Sequence, residues 1–127
     1  MTSGSAAEAD LDPVIHPIPR LRICALLQPV VKEEFAVLRD QLDVSDSALS
    51  KQIAALVAAG YVEQLHATRA GRRRVWLSLS PAGRAAFVRH VTALRAIADR
   101  EIAFAIGAGV AREPAEWLES DEPVERP

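Results

Sequence analysis

Between Val44 and Gly83 the chain reads VSDSALSKQIAALVAAGYVEQLHATRAGRRRVWLSLSPAG, and no other stretch restricts the fold as much. Ser45 stands where a helix N-cap belongs, because its hydroxyl can take an otherwise unpaired backbone N–H of the first turn. Leu49, Ile53, Leu56 and Val57 recur at helical spacing and are expected to face inward. Val44, just before the cap, can pack on Leu49 as a hydrophobic staple. Gly60 tolerates the left-handed backbone that closes a helix, so the pattern predicts a helix over about 46–59. Two alternating runs follow, Tyr61 to Leu65 and Val75 to Leu79, which read as strands. The linker between them, HATRAGRRR, has Gly71 as its expected tip. Ser80 and Pro81 then open another helix, as cap and first helical residue. A helix that fits a nucleic-acid groove is thus followed at once by a cationic hairpin.

The flanks complete the outline. Residues 1–12 are small, polar and acidic and are expected to be a flexible N-terminal segment. A first helix should start near Pro17 to Pro19 and run to about Gln28, where Pro29 stops it. A second helix is expected over roughly Lys32 to Leu42, with Phe35, Leu38 and Leu42 as its apolar stripe. Glu33 and Glu34 in its first turn would suit the helix dipole. The last helix should run from about 81 to 106, ahead of Gly107 and Gly109. The domain therefore spans 13–106. The tail, 107–127, is acidic and punctuated by proline, and is expected to be disordered.

With 127 residues, half of them apolar, the chain suffices for one domain with a compact core. Its formal net charge of −2 conceals an uneven distribution: residues 45–100 carry nine basic groups against three acidic ones. Residues 1–44 and 101–127 are net acidic, at −3 and −5. The local excess matters more than the total, because counterions leave DNA only where Lys and Arg meet phosphate. No apolar run reaches the roughly 18 residues of a membrane span, and no secretory signal is evident, so a cytoplasmic protein without membrane contact is expected. The single cysteine, Cys24, reads as a small core residue. His16, His66 and His90 lie far apart, and nothing in their spacing predicts convergence on a metal. No phosphate loop, nucleophile elbow or metalloprotease motif occurs, so neither a cofactor nor an enzymatic activity is expected.

Projected at about 100° per residue, Ser47, Lys51, Ala54 and Ala58 point away from the inward face of the third helix. Ala48, Ser50, Gln52 and Ala55 flank them. Small side chains let a helix sit deep in a major groove, while Ser and Gln can bond base edges or phosphates. Arg69, Arg72, Arg73 and Arg74 cluster around the hairpin tip, where they could grip phosphates or enter a narrow minor groove. Some could instead pair with Glu63 across the hairpin. In the last helix, Phe87, Val91, Leu94, Ala98 and Ile102 form a 4-3-4-4 apolar stripe. One head domain has trouble burying so long a stripe, so it reads as a homodimer seam. A twofold dimer would place two reading helices ~34 Å apart on a palindromic site.

The segments LSKQIAALVAAGYVE and RAGRRRVWLSLSPAGRAAF, with LDPVIHPIPRLRICALL near the start, resemble the winged helix-turn-helix transcriptional regulators of the MarR/ArsR type. The resemblance covers about Leu11 to Leu94. It implies a mainly α fold with a small β-hairpin wing (α+β) and a long C-terminal dimerisation helix. By the same resemblance, Ser47, Ala48, Ser50, Lys51 and Gln52 look groove-facing, with Ser45 at the helix entrance. Arg72, Arg73 and Arg74 look like wing contacts to double-stranded DNA. Many such regulators repress their targets and release DNA on binding a small molecule or metal. The paired Cys or His of the metal-sensing branch is absent here, so an effector, if used, would be a small molecule. The alternative is a winged-helix protein-interaction module without sequence-specific DNA binding, and a general RNA or chromatin binder is the third reading.

Overall fold

A computed structural model describes residues 3–107, with side chains from Ala6 onward. The expectation of disorder in the acidic tail, and Trp117 within it, lie outside the described residues. The elements in order are α1 (Ser3–Ala9), α2 (Ile18–Leu27), β1 (Glu33–Glu34), α3 (Phe35–Leu42), α4 (Asp46–Ala58), β2 (Val62–Arg69), β3 (Arg72–Leu79) and α5 (Pro81–Gly107). The expected first, second and third helices are therefore α2, α3 and α4.

The start of α4 follows its sequence signals. Ser45 has extended backbone and its Oγ accepts the Ala48 N–H at 3.1 Å. At the other end Gly60 has φ +80°, which lets the Gly60 and Tyr61 N–H groups close on the carbonyls of Val57 and Leu56, each at 2.9 Å. Leu49, Ile53 and Leu56 enter a core shared with Ile15, Ile23, Leu27, Leu38, Leu77 and Ala86. Val57 differs from expectation: it is 40% exposed and lines an open hollow shared with the wing residues Gln64, His66 and Val75. Leu56 is fully buried at the centre of the core. Leu56→Ala should therefore cost about 2–5 kcal/mol of unfolding free energy, read by urea denaturation followed by far-UV circular dichroism.

The strands are longer than the alternation suggested. β2 and β3 pair antiparallel from Val62↔Leu79 out to Arg69↔Arg72, and the turn is only Ala70 and Gly71, with φ +53° and +77°. Two central residues at positive φ match the twist of a hairpin. Beyond Leu65 and before Val75 the strands project into solvent, so no apolar alternation marks them. Glu33 and Glu34 do not open the second helix either. They form β1 on the outer edge of β3 (Glu33↔Leu77, Glu34↔Trp76), and α3 begins at Phe35. The sheet order is β1-β3-β2. An edge strand offers unpaired backbone groups, and β1 satisfies part of that row.

The segment expected to be flexible contains α1, which packs along α5. Its composition, SGSAAEA, includes three alanines, and Ala favours helix whenever a surface is present to order it. α5 supplies that surface. Its buried residues are Gly83, Ala86, His90 and Ala93, a stripe too small and polar to be read as a core face. Ser80 caps α5 as expected: Oγ accepts the Gly83 N–H at 2.9 Å and donates to the Gly60 carbonyl at 2.6 Å.

Candidate nucleic-acid interface

The exposed face of α4 is the one expected. Ser47, Ala48, Ser50, Lys51, Ala54 and Ala58 are all solvent-exposed. Gln52 is half-buried, and its Oε1 accepts Arg20 Nη1 at 3.0 Å, which leaves only its amide N–H groups to donate outward. Ser45 is committed to its cap and lies 3.3 Å from the Ser47 hydroxyl. Asp46, in the first turn, would repel a phosphate approaching the helix N-terminus. Arg39 from α3 offsets it through an Nη1–Oδ1 contact of 3.0 Å, and the hydrogen bonds to Asp46 and Asp40 raise the Arg39 pKa. Both partners are substantially exposed, so the pair adjusts local charge more than it adds stability.

The wing separates its arginines. The register places Val62, Gln64, His66, Thr68, Arg73, Val75, Leu77 and Leu79 on the face towards α4. Glu63, Leu65, Ala67, Arg69, Arg72, Arg74, Trp76 and Ser78 lie on the other. Arg69, Arg72 and Arg73 are exposed, and none has a carboxylate within 4.0 Å among the described residues. Arg69 and Arg72 stand directly opposite each other. Like charges in that position are unfavourable unless an anion lies between or over them.

Arg74 behaves differently. Its Nη1 meets Glu34 Oε2 at 2.5 Å, and both side chains are shielded. The partner anticipated for the hairpin arginines, Glu63, is not used. Glu34 on β1 serves instead, so Arg74 fastens the base of the wing and is not free for phosphate. The pairing was illegible because β1 itself was. Beside it Lys32 Nζ sits 4.7 Å from the Trp76 ring centroid, a cation–π contact.

Between α4 and the inner wing face is an open hollow of about 680 Å³. Ile53, Val57, Phe35 and Val75 line its floor, and Gln64 and His66 its rim. Along α5 the expected seam divides. Phe87 packs against the domain core, and Val91 and Leu94 are half-buried. Ala98 and Ile102 are exposed, joined by Phe104 and Ile106, which the 4-3-4-4 stripe did not include.

Two of the three histidines converge against expectation: His16 Nδ1 and His90 Nε2 are 3.4 Å apart, while His66 stands on the wing. Among the described residues no group of three His, Cys, Asp or Glu side chains could hold a metal. Burial, with a smaller contribution from Asp12, pushes the Cys24 thiol up to about 12. The thiolate is the reactive species, so native protein at about pH 8 should leave Cys24 unmodified by a colourimetric disulfide reagent until denaturant is added. Rapid native labelling would contradict that assignment.

A helix with an exposed small-residue face, set against a two-stranded wing with three unpaired arginines, has a counterpart among known proteins. Residues 19–98 match the family model described as a winged helix DNA-binding domain. The chain belongs to that family. A transcriptional regulator homologue from Pyrococcus horikoshii OT3 is 26% identical, covers 68% of this chain and 85% of its own, and superposes with a TM-score of 0.65. HlyU from Vibrio cholerae N16961 is 27% identical over 68% of this winged-helix chain and 90% of its own, with a TM-score of 0.51. NadR in complex with 4-hydroxyphenylacetate shares the fold at 22% identity, covering 91% and 78% of the two chains, with a TM-score of 0.58. No curated protein sequence matches significantly. The resemblance to winged-helix regulators and the α+β winged-helix class hold: the family is a DNA-binding one, and the 26%-identical neighbour is described as a transcriptional regulator homologue, not an enzyme. Among the described residues no helix is long and apolar enough to cross a membrane.

Proposed function

We propose that this winged-helix regulator is a homodimeric repressor of a palindromic operator. In this reading α4 enters the major groove with Ser47, Ala48, Ser50 and Lys51 towards the bases. Arg69, Arg72 and Arg73 hold the flanking backbone or minor groove. The observation that carries the reading is the arginine trio at the wing tip, a cation cluster with no acidic partner among the described residues, together with the exposed small-residue face of α4. Lys51 supplies the positive charge of the reading face, and Gln52 and Arg74 act as supports. NadR, a fold relative, is described with a bound 4-hydroxyphenylacetate, and release of this repressor by a small molecule belongs to the same proposal.

Dimerisation rests on the exposed end of α5. Ile102 and Ile106, 58% and 64% exposed and four residues apart, share one face of α5 and offer an apolar surface to a second copy, while Phe104, 71% exposed, lies on the other side of the helix. Sedimentation equilibrium should give a dimer for the full chain and a monomer for Ile102→Glu/Ile106→Glu, with both proteins folded. A wild-type monomer at ~10 µM would overturn the seam. The alternative reading, a protein-docking module, requires that purified protein show no affinity for DNA even at low salt.

A further inference from the structure

The segment between α1 and α2 carries a hydrogen-bonded cluster for which groove binding has no use. Asp12 is buried, and its Oδ1 accepts the N–H groups of Val14 and Ile15 at 2.8 and 3.3 Å. Its Oδ2 accepts the Tyr61 hydroxyl at 2.5 Å. Its own N–H donates to Nδ1 of His90 at 2.8 Å, across 78 positions of sequence. His90 is 0% exposed, and its other ring nitrogen faces His16. One residue therefore joins three parts: the N-terminal arm, the α4–β2 junction at Tyr61, and the middle of α5.

The donors and acceptors fix the protonation. A backbone amide can only donate, so His90 Nδ1 must be bare and the proton of the neutral ring sits on Nε2. That Nε2–H points at His16 Nδ1, which must accept. A proton added to His90 sets an N–H against the Asp12 amide. The arrangement fits only with the His90 ring neutral.

From this geometry we infer that Asp12, His16, Tyr61 and His90 form a proton-operated latch, which fixes the reading helix and wing relative to α5 and opens when His90 takes up a proton. The charged and titratable groups around it are few. Asp12 and His16 face His90 from the arm, Cys24 of α2 and Tyr61 lie beside Asp12, and Arg89 of α5 acts on Tyr61. Glu8 of α1 is exposed. Burial first, and the neighbouring His16 second, lower the His90 pKa from its ordinary 6.5, with Asp12 opposing them. Above about pH 6.5 neither the folded nor the unfolded chain protonates this ring, and the latch is closed. Below it the unfolded chain binds the proton first, so the closed form loses stability as pH falls towards the lowered native value.

Tyr61 transmits the change. Its N–H closes α4 on Leu56, and its carbonyl accepts the Ser80 N–H at 2.9 Å at the start of α5. Freeing its hydroxyl loosens the joint about which α4 and the wing sit on α5. The regulatory consequence, weaker operator binding in acid, rests on the DNA-binding reading. The latch does not, and it is tested on the free full-length chain.

Hydrogen exchange read by NMR, corrected for intrinsic rates, should show protection of the Val14, Ile15, His16 and Tyr61 amides falling at least about tenfold from pH 7.5 to 5.5. His90→Asn, which keeps an acceptor near the Nδ1 position and cannot titrate, should abolish that pH dependence. Imidazole 15N shifts should report the Nε2–H tautomer for His90 and a titration below 6.5, moved upward in His16→Ala. That arm stands even if His90→Asn does not fold. Flat protection in the wild type, unchanged pH dependence in His90→Asn, or an Nδ1–H tautomer would each overturn the latch.

Discussion

Gly83→Ala should destabilise the domain by about 3 kcal/mol or more, although it replaces glycine by the best helix former inside a helix. Propensity alone would favour the alanine by ~1 kcal/mol. Packing reverses the sign. A Cβ at position 83 would lie 2.1 Å from the Tyr61 carbonyl oxygen and 2.8 Å from its carbon. Those are backbone atoms, and the same oxygen accepts the Ser80 N–H, so relieving the clash breaks the junction of β2 and α5. At roughly 4–8 °C per kcal/mol for a domain of this size, the melting temperature should drop by about 12 °C or more. Gly60→Ala is the control. It meets open space but sits at φ +80°, so it should cost only about 1 kcal/mol, from backbone strain. Paired urea titrations decide the matter: a Gly83→Ala protein no less stable than Gly60→Ala contradicts the close approach.

Replacing Arg69, Arg72 and Arg73 together by alanine should weaken DNA binding about 100-fold at ~150 mM salt without changing the fold. The effect should extend to unrelated sequences, since these side chains are assigned to phosphate or groove width. Each lost phosphate contact removes about 0.9 from the slope of log K against log salt, so the slope should flatten by about two to three per protomer. Arg74→Ala is the informative contrast. Its partner Glu34 is 19% exposed, and removing the guanidinium leaves that carboxylate poorly solvated. It should cost about 1 kcal/mol of stability and leave the salt slope nearly intact. Fluorescence anisotropy across a salt series, with thermal melts of the same variants, separates the two roles.

Elements with local causes were legible in the sequence. Ser45, Gly60, Ser80 and Pro81 mark helix ends through hydrogen bonds and backbone angles that each residue settles with its near neighbours. The exposed face of α4 followed from helical spacing, and the arginine cluster from composition. Features created by distant pairing were not legible. β1 exists because β3 offers an edge, so Glu33 and Glu34 looked like a helix start. The small stripe Gly83, Ala86, His90 and Ala93 is the inward face of α5 because distant segments meet it, Tyr61 at Gly83, the domain core at Ala86 and the arm at His90, and an apolar-periodicity reading favours Phe87, Val91 and Leu94 instead. His16 and His90 meet across 74 positions, and Asp12 reaches Tyr61 across 49. No spacing rule contains those contacts. Arg74 joined the wing set for the same reason, since its partner belongs to the unseen strand.

Specific DNA recognition through α4 can be read by selecting genomic fragments with purified protein at ~150 mM salt and sequencing them, with Lys51→Ala in parallel. Enrichment of a palindromic site, its half-sites about one helical turn apart, is expected with the wild type and should disappear with Lys51→Ala. Equal enrichment by the two proteins, or no enrichment by either, would contradict recognition through α4.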